Sequence, residues 1–270
     1  MKVDNDIQKL HKCLRLILDE IDRICQKNNI PYFLDSGSAL GAIRHKGFIP
    51  WDDDADVGML RENYDKFILA AQKDLKPEFY LQTMKIDPDY PNFNAKIRLN
   101  GTFFPEKYNA GLTIHQGIFV DIFPFDYIND IPEKAIKETI MSRKIIAALS
   151  FRRRPFQKER PLKMIGRFIF RVVPKSFLVS LCNRYYISCE SKPTKTVTCF
   201  SYRMNADKIL HFQYSDMATT HYVDFEDSKY QIMDGYDNYL KTMYGDYMEL
   251  PPEEKRVVHI DGTIEFNEYE

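Results

Sequence analysis

Cysteine is scarce in this chain of 270 residues: Cys13, Cys25, Cys182, Cys189 and Cys199 are odd in number and form no Cys-x-x-Cys pair. Such a set offers neither a disulfide framework nor a thiolate zinc site, and fits reduced thiols in a cytoplasmic protein. No apolar stretch approaches the roughly 20 residues of a spanning helix. The opening residues, Met1-Lys2-Val3-Asp4-Asn5-Asp6, lack the apolar core of a secretory leader. The expected location is therefore cytoplasmic, with any membrane contact peripheral at the inner face. Charge of neither sign prevails, since 38 Lys and Arg meet 39 Asp and Glu for a net charge of -1. No global field draws the chain to nucleic acid. Internal repeats and low-complexity tracts are also missing, which excludes solenoids and disordered arrays.

What is present is an ordinary globular composition, 44% hydrophobic and 29% charged, in a chain long enough to bury a core. Leu10, Leu14, Ile17, Leu18, Ile21, Ile24 and Cys25 recur every three or four residues, so 6–28 reads as a helix with one buried face. Strands are expected at 31–35, 55–59, 79–84, 95–99 and 117–123, with helices at 39–44 and 61–75 between them, and Ser36-Gly37-Ser38 as a turn. The fold class is α+β: a mixed sheet flanked by helices, with a helical, basic insertion and a C-terminal region. The expected division is a catalytic core at 1–130, a basic helical segment at 131–196, and a region at 197–270 that packs on the core.

The sharpest feature is Trp51-Asp52-Asp53-Asp54-Ala55-Asp56-Val57, an acidic run that enters an apolar strand. Alternation along a strand puts Asp54 and Asp56 on one face, with backbones about 6–7 Å apart, and turns Ala55 and Val57 to the core. Two carboxylates so held repel unless a cation joins them. Mg²⁺, with Mn²⁺ as a substitute, prefers such hard oxygens and leaves its other positions to water and phosphate. An isolated acidic run is more often a solvated loop, but this one runs into a core strand. An EF-hand fails on spacing, because Asn63 or Tyr64 stands where the closing Glu belongs. An Asp-x-Asp sugar-nucleotide site uses the same pair for the same reason. Upstream, Gly37 and Ser38 precede a short helix, an arrangement that offers backbone N–H groups and a hydroxyl to a phosphate.

The stretch from Gly37 through Arg44-His45-Lys46-Gly47 and Trp51 to Asp56 resembles the signature of the LicD family, a branch of the nucleotidyltransferase superfamily. The resemblance continues in Arg61–Phe67, Lys96-Ile97-Arg98, Val120–Pro124, and from Tyr244 through Pro251-Pro252 to Arg256 and His259. One departure is Ser36-Gly37-Ser38-Ala39, where the family commonly has Gly-Gly-Thr-Leu; the hydroxyl is kept. The superfamily pattern implies a Gly-Ser turn (Gly37, Ser38), an Asp-x-Asp pair (Asp54, Asp56) and a third carboxylate on a later strand (Asp121) as catalytic metal ligands. It further implies phosphocholine transfer from CDP-choline, or a related CDP-alcohol, to a glycan or lipid-linked glycan. Nucleotidyl transfer to a small acceptor, and a binding protein without turnover, are the competing classes.

Asp121 lies in an otherwise apolar run, where a metal or a salt bridge to Lys96 or Arg98 must compensate it. Lys96 and Arg98 share a strand face and are candidate donor-phosphate ligands, as are Arg44, His45 and Lys46. Trp51, the only tryptophan, suits stacking on a base, facing a quaternary ammonium, or packing. Between Arg143 and Lys175 eleven basic residues face one acid, Glu159. That segment reads as a membrane contact, an acceptor pocket or a solvated face.

Overall fold

The computed structural model describes residues 2–90, 92–106, 112–153, 172–186, 193–202, 210–256 and 262–269. Helix α1 spans Lys2–Asn28, and its periodic residues Leu10, Leu14, Ile17, Leu18, Ile21, Ile24 and Cys25 are all at most 1% exposed. They pack on the sheet and on a neighbouring helix. Asn29, at a left-handed φ of 51°, stops α1. Its N–H returns to the Gln26 carbonyl at 3.3 Å and the next N–H, of Ile30, to Cys25 at 2.9 Å, which satisfies two terminal carbonyls.

There follow β1 (Phe33–Leu34), α2 (Ser36–Arg44), β2 (Asp56–Leu60), α3 (Arg61–Asp74), β3 (Phe79–Gln82), β4 (Ala95–Leu99) and β5 (Phe119–Ile128). This is the order read from the sequence. One boundary differs in a way that matters: Ser36-Gly37-Ser38 is the first turn of α2 rather than a loop. The Asp35 carbonyl already accepts the Ala39 N–H at 3.1 Å and starts the helical ladder there. Further on come α4 (Pro132–Arg153), α5 (Lys175–Tyr186), β6 (Thr196–Thr198), β7 (Phe212–Gln213), α6 (Tyr214–Met217), β8 (Thr220–Phe225), β9 (Ser228–Met233) and α7 (Tyr236–Tyr244).

Among the described residues the main sheet has seven strands, ordered β1-β2-β5-β4-β3, with β6 on the far end of β5 and β7 on β6. Only the β2–β5 pair is parallel within it. β2 is buried along Val57–Leu60 and β4 throughout, as expected of strands covered on both sides. β8 and β9 form a separate hairpin that packs beside β1, while α7 packs against α2. The C-terminal quarter thus folds back onto the beginning of the sheet. The helices at the edges of the basic segment are present, but 154–171 lies outside the described residues, and with it most of the residues behind the membrane or acceptor reading. No helix among the described residues is long and apolar enough to cross a membrane.

Gly58 stands directly opposite Phe33 across β1–β2, and a Cβ there would run into the Phe33 ring, itself packed edge-on to Phe125. Gly58→Ala is therefore expected to lower stability by about 1–3 kcal/mol through overpacking. Urea denaturation checks this: the midpoint falls while the slope stays unchanged.

Candidate active site

Register puts the first two acids together. Asp56 on β2 pairs with Asp121 on β5 in a parallel ladder, so the two side chains leave the same face about 4.8 Å apart. Asp56 is half-buried, and the Asp121 side chain is 15% exposed. Before β2 the burial alternates: Asp53, Ala55 and Val57 are buried, while Asp52, Asp54 and Asp56 are half-buried. Asp52, Asp53 and Asp54 each present an oxygen within 4.8 Å of the others. Asp52 and Asp53 were not among the residues singled out from the sequence.

The acids feel one another strongly. Loss of hydration raises Asp56 well above the usual carboxylate range, and Asp54, Asp121, Asp35 and Asp52 add to the shift in that order. Asp52 is raised in the same way by burial, then by Asp54 and Asp53. Burial also raises Asp121; the adjacent Lys96 ammonium opposes it, and Glu106 and Asp54 push it further up. Clustered hard oxygens that resist ionising together are what a small divalent cation relieves, so the residues present fit Mg²⁺.

Asp121 also has protein partners: Asn94 donates to one oxygen and Lys96 to the other at 3.0 Å. The salt bridge to Lys96, one of the two readings of Asp121, is present, and Asp121 keeps its place beside Asp56. Lys96 in turn reaches Glu106 at 3.3 Å and sits over the Phe119 ring at 3.2 Å. Arg98 requires a correction. It is fully buried, with its guanidinium donating to Gln82 at 2.6 Å, the Gly117 carbonyl at 2.7 Å and Glu106 at 2.7 Å. Among the described residues it has no exposed surface, and its place is that of a buttress rather than a phosphate ligand. Glu106, desolvated but flanked by Lys96 and Arg98, is lowered to about 2. Its stabilisation is present above its ordinary value of 4.5 and lost as pH falls towards 2.

Gly37 and Ser38 serve the acid loop itself. The Ser38 hydroxyl accepts the Asp56 N–H at 2.9 Å, and a Cβ on Gly37 would lie 2.6 Å from a carboxylate oxygen of Asp52. The glycine therefore lets an aspartate, in the first place, approach the start of α2. Arg44 is also engaged internally: it donates to the Tyr247 and Glu249 carbonyls at 2.8 and 3.2 Å and to His45 Nε2 at 3.0 Å. Burial, then Arg44, lowers the His45 pKa. Lys46 is exposed, with left-handed backbone at φ 61°, and its carbonyl receives the Glu226 N–H. Trp51 is half-buried, with the His45 ring nearly perpendicular to it at 6.1 Å and the Arg256 guanidinium 4.7 Å above its ring. The C-terminal segment thus does reach the acid loop, although His259 lies outside the described residues.

A further group went unread. Asp35, at the end of β1, has no exposed surface, and its own N–H donates to the Asp56 carbonyl at 2.9 Å. Tyr202 donates to it at 2.7–2.8 Å and Tyr239 also bonds it, the two phenols lying 2.9 Å apart. Burial pushes Asp35 up to about 6 against these hydrogen bonds. The sequence carries no local signal for this clamp, because its partners arrive from far along the chain. Tyr239→Phe removes one donor from a buried carboxyl and is expected to destabilise the fold by about 1–3 kcal/mol. A fall in the thermal midpoint, with the sheet's circular dichroism retained, is the result to look for.

Comparison with known proteins gives the family. The family model LicD/FKTN/FKRP, nucleotidyltransferase domain, matches residues 29–166, a span that begins at the end of α1 and contains Asp54, Asp56 and Asp121. Over 260 residues the chain is 29% identical to the lipopolysaccharide cholinephosphotransferase LicD of Haemophilus influenzae, covering 92% of each. Uncharacterised proteins of Rickettsia prowazekii and Rickettsia typhi are each 45% identical over 47 residues, which is 17% of this chain and 18% and 15% of theirs. A nucleotidyltransferase sheet with its acids in register, matched by the family model across the strands that hold them, makes this chain a member of the LicD family.

Proposed function

We propose that this protein is a metal-dependent transferase that moves phosphocholine from CDP-choline to a hydroxyl of a cell-surface glycan or its lipid-linked precursor. The observation that carries the reading is the in-register pair Asp56 and Asp121, with Asp54 close enough to raise both. The relative in Haemophilus influenzae, named a lipopolysaccharide cholinephosphotransferase, supports the choice of group and of acceptor class. Capsule-type glycans belong to the same chemical class of acceptor.

In this proposal Asp54, Asp56 and Asp121 hold Mg²⁺ or Mn²⁺. When bound, the cation supplies Lewis-acid stabilisation of the donor's diphosphate and leaving nucleotide. Ser38 orients the metal-binding strand through the Asp56 N–H, and Gly37 leaves room for the acid loop on the helix start. Lys96, beside Asp121, brings the positive charge that donor phosphate oxygens require. Exposed Lys46 and half-buried His45 would be further contacts for the donor phosphates. Trp51 has one face under Arg256, so only its other face is left for a base or a choline head group. Such a site works by positioning and electrostatics rather than by a covalent intermediate. The basic stretch Arg143–Lys175 would hold the enzyme at the anionic inner face of the membrane, where a lipid-linked acceptor lies.

Radiolabelled CDP-choline, Mg²⁺ and a glycan acceptor make the test. Release of CMP with label on the glycan is expected, whereas CMP retained on the product would mean nucleotidyl transfer instead. EDTA should abolish transfer. Asp54→Asn, Asp56→Asn and Asp121→Asn should each reduce it by more than roughly 100-fold, since even groups behind the ligands of a metal contribute 10–100-fold. Undiminished turnover in EDTA would end the metal reading.

A further inference from the structure

We infer that Glu106 is a positioning residue for the acid site, dividing the Lys96 ammonium between itself and Asp121. This rests on the proposed metal reading and extends it to a residue outside the acid cluster. The argument begins in the sheet. Lys96 pairs with Asp121, and Arg98 with Phe119, so all four side chains occupy one face of β4 and β5. Both cations are buried there, Lys96 at 3% and Arg98 at 0% side-chain exposure. Buried cations need partners. Glu106 comes from the segment after β4 and answers both, one oxygen 2.7 Å from Arg98 and the other 3.3 Å from Lys96.

Arg98 cannot yield. Gln82 and the Gly117 carbonyl fix the rest of its guanidinium, so the first oxygen of Glu106 is pinned and the second is held towards Lys96. Lys96 is confined from below by the Phe119 ring at 3.2 Å. It therefore stands between two carboxylates, 3.0 Å from Asp121 and 3.3 Å from Glu106. While Glu106 takes part of the ammonium, Asp121 keeps charge for a divalent cation. Without Glu106, Lys96 has Asp121 as its remaining carboxylate in this group and neutralises it. A cation would then have to compete with a lysine that is covalently part of the site.

Binding of Mn²⁺ to the full chain, followed by the electron paramagnetic resonance of free Mn²⁺, tests this without any turnover. Glu106→Gln keeps the shape and loses the charge. Its dissociation constant for Mn²⁺ should rise by about 10–100-fold, the range for residues behind metal ligands. Adding Lys96→Gln to that variant should recover most of the loss, because the competing ammonium is gone; the coupling is read from the double-mutant cycle. A purely structural role for Glu106 predicts that Lys96→Gln changes the affinity by the same factor with or without Glu106. Unchanged affinity in Glu106→Gln, or no coupling in the cycle, overturns the inference. Should Glu106→Gln fail to melt cooperatively, Glu106→Asp, which keeps a charge for Arg98 but shortens the reach to Lys96, is judged by the same two outcomes. Asp56→Asn separates the two levels: if it binds Mn²⁺ as tightly as the unaltered chain, the metal reading itself is wrong. If it loses binding while Glu106→Gln does not, only the role of Glu106 fails.

Discussion

Everything in the site follows from one parallel strand pair. β2 and β5 run side by side with Asp56 opposite Asp121, and the surrounding residues of both strands, Val57, Met59, Val120 and Ile122, are fully buried. Those apolar neighbours fix the register, since a slip of one residue would swap the two faces and drive the carboxylates into the apolar core. The carboxylates therefore cannot separate to relieve their repulsion. Sheet packing, worth roughly 1.5–3 kcal/mol for each large apolar side chain, holds together charges that would disperse in a free loop.

The rest of the molecule holds that pair from behind. Asp35 binds the Asp56 carbonyl through its own N–H and is itself gripped by Tyr202 and Tyr239. Ser38 takes the Asp56 N–H. The two ends of one peptide segment are thus bonded by α2 and by the residue that precedes it. Arg44 ties α2 to the carbonyls of Tyr247 and Glu249, and Arg256 covers Trp51. The C-terminal quarter thus holds α2 and Trp51, the neighbours of the acid loop in the chain.

Short-range patterns were legible in the sequence. The period of α1, the alternation across Asp54, Ala55 and Asp56, and the element order through β5 all depend on residues a few positions apart. The α2 start was misplaced because Ser-Gly-Ser is ordinary turn chemistry, and only the Asp35 carbonyl ladder made it helical. What the sequence hid is pairing at long range. Asp35 meets Tyr202 and Tyr239, 167 and 204 positions away. Arg98 read as a phosphate ligand because strand alternation puts it on the same face as Lys96; no local pattern announces Glu106 and the Gly117 carbonyl, which cover its guanidinium.

Charge balance explains why that cover exists. Two cations next to two acids, Lys96 and Arg98 with Asp121 and Glu106, balance in formal charge, whereas Asp52 and Asp56 on the other side are each raised by the acids around them. Asp121 belongs to both groups. An acid shared in this way is held still by its lysine and asparagine while it remains next to Asp56. A carboxylate in the repelling set alone would move or take up a proton, and one in the neutral set alone would be of no use to a cation. The two demands meet at a single side chain because β5 lies between β4, which brings the bases, and β2, which brings the acids. Strand order, more than any local motif, sets the electrostatics of the site.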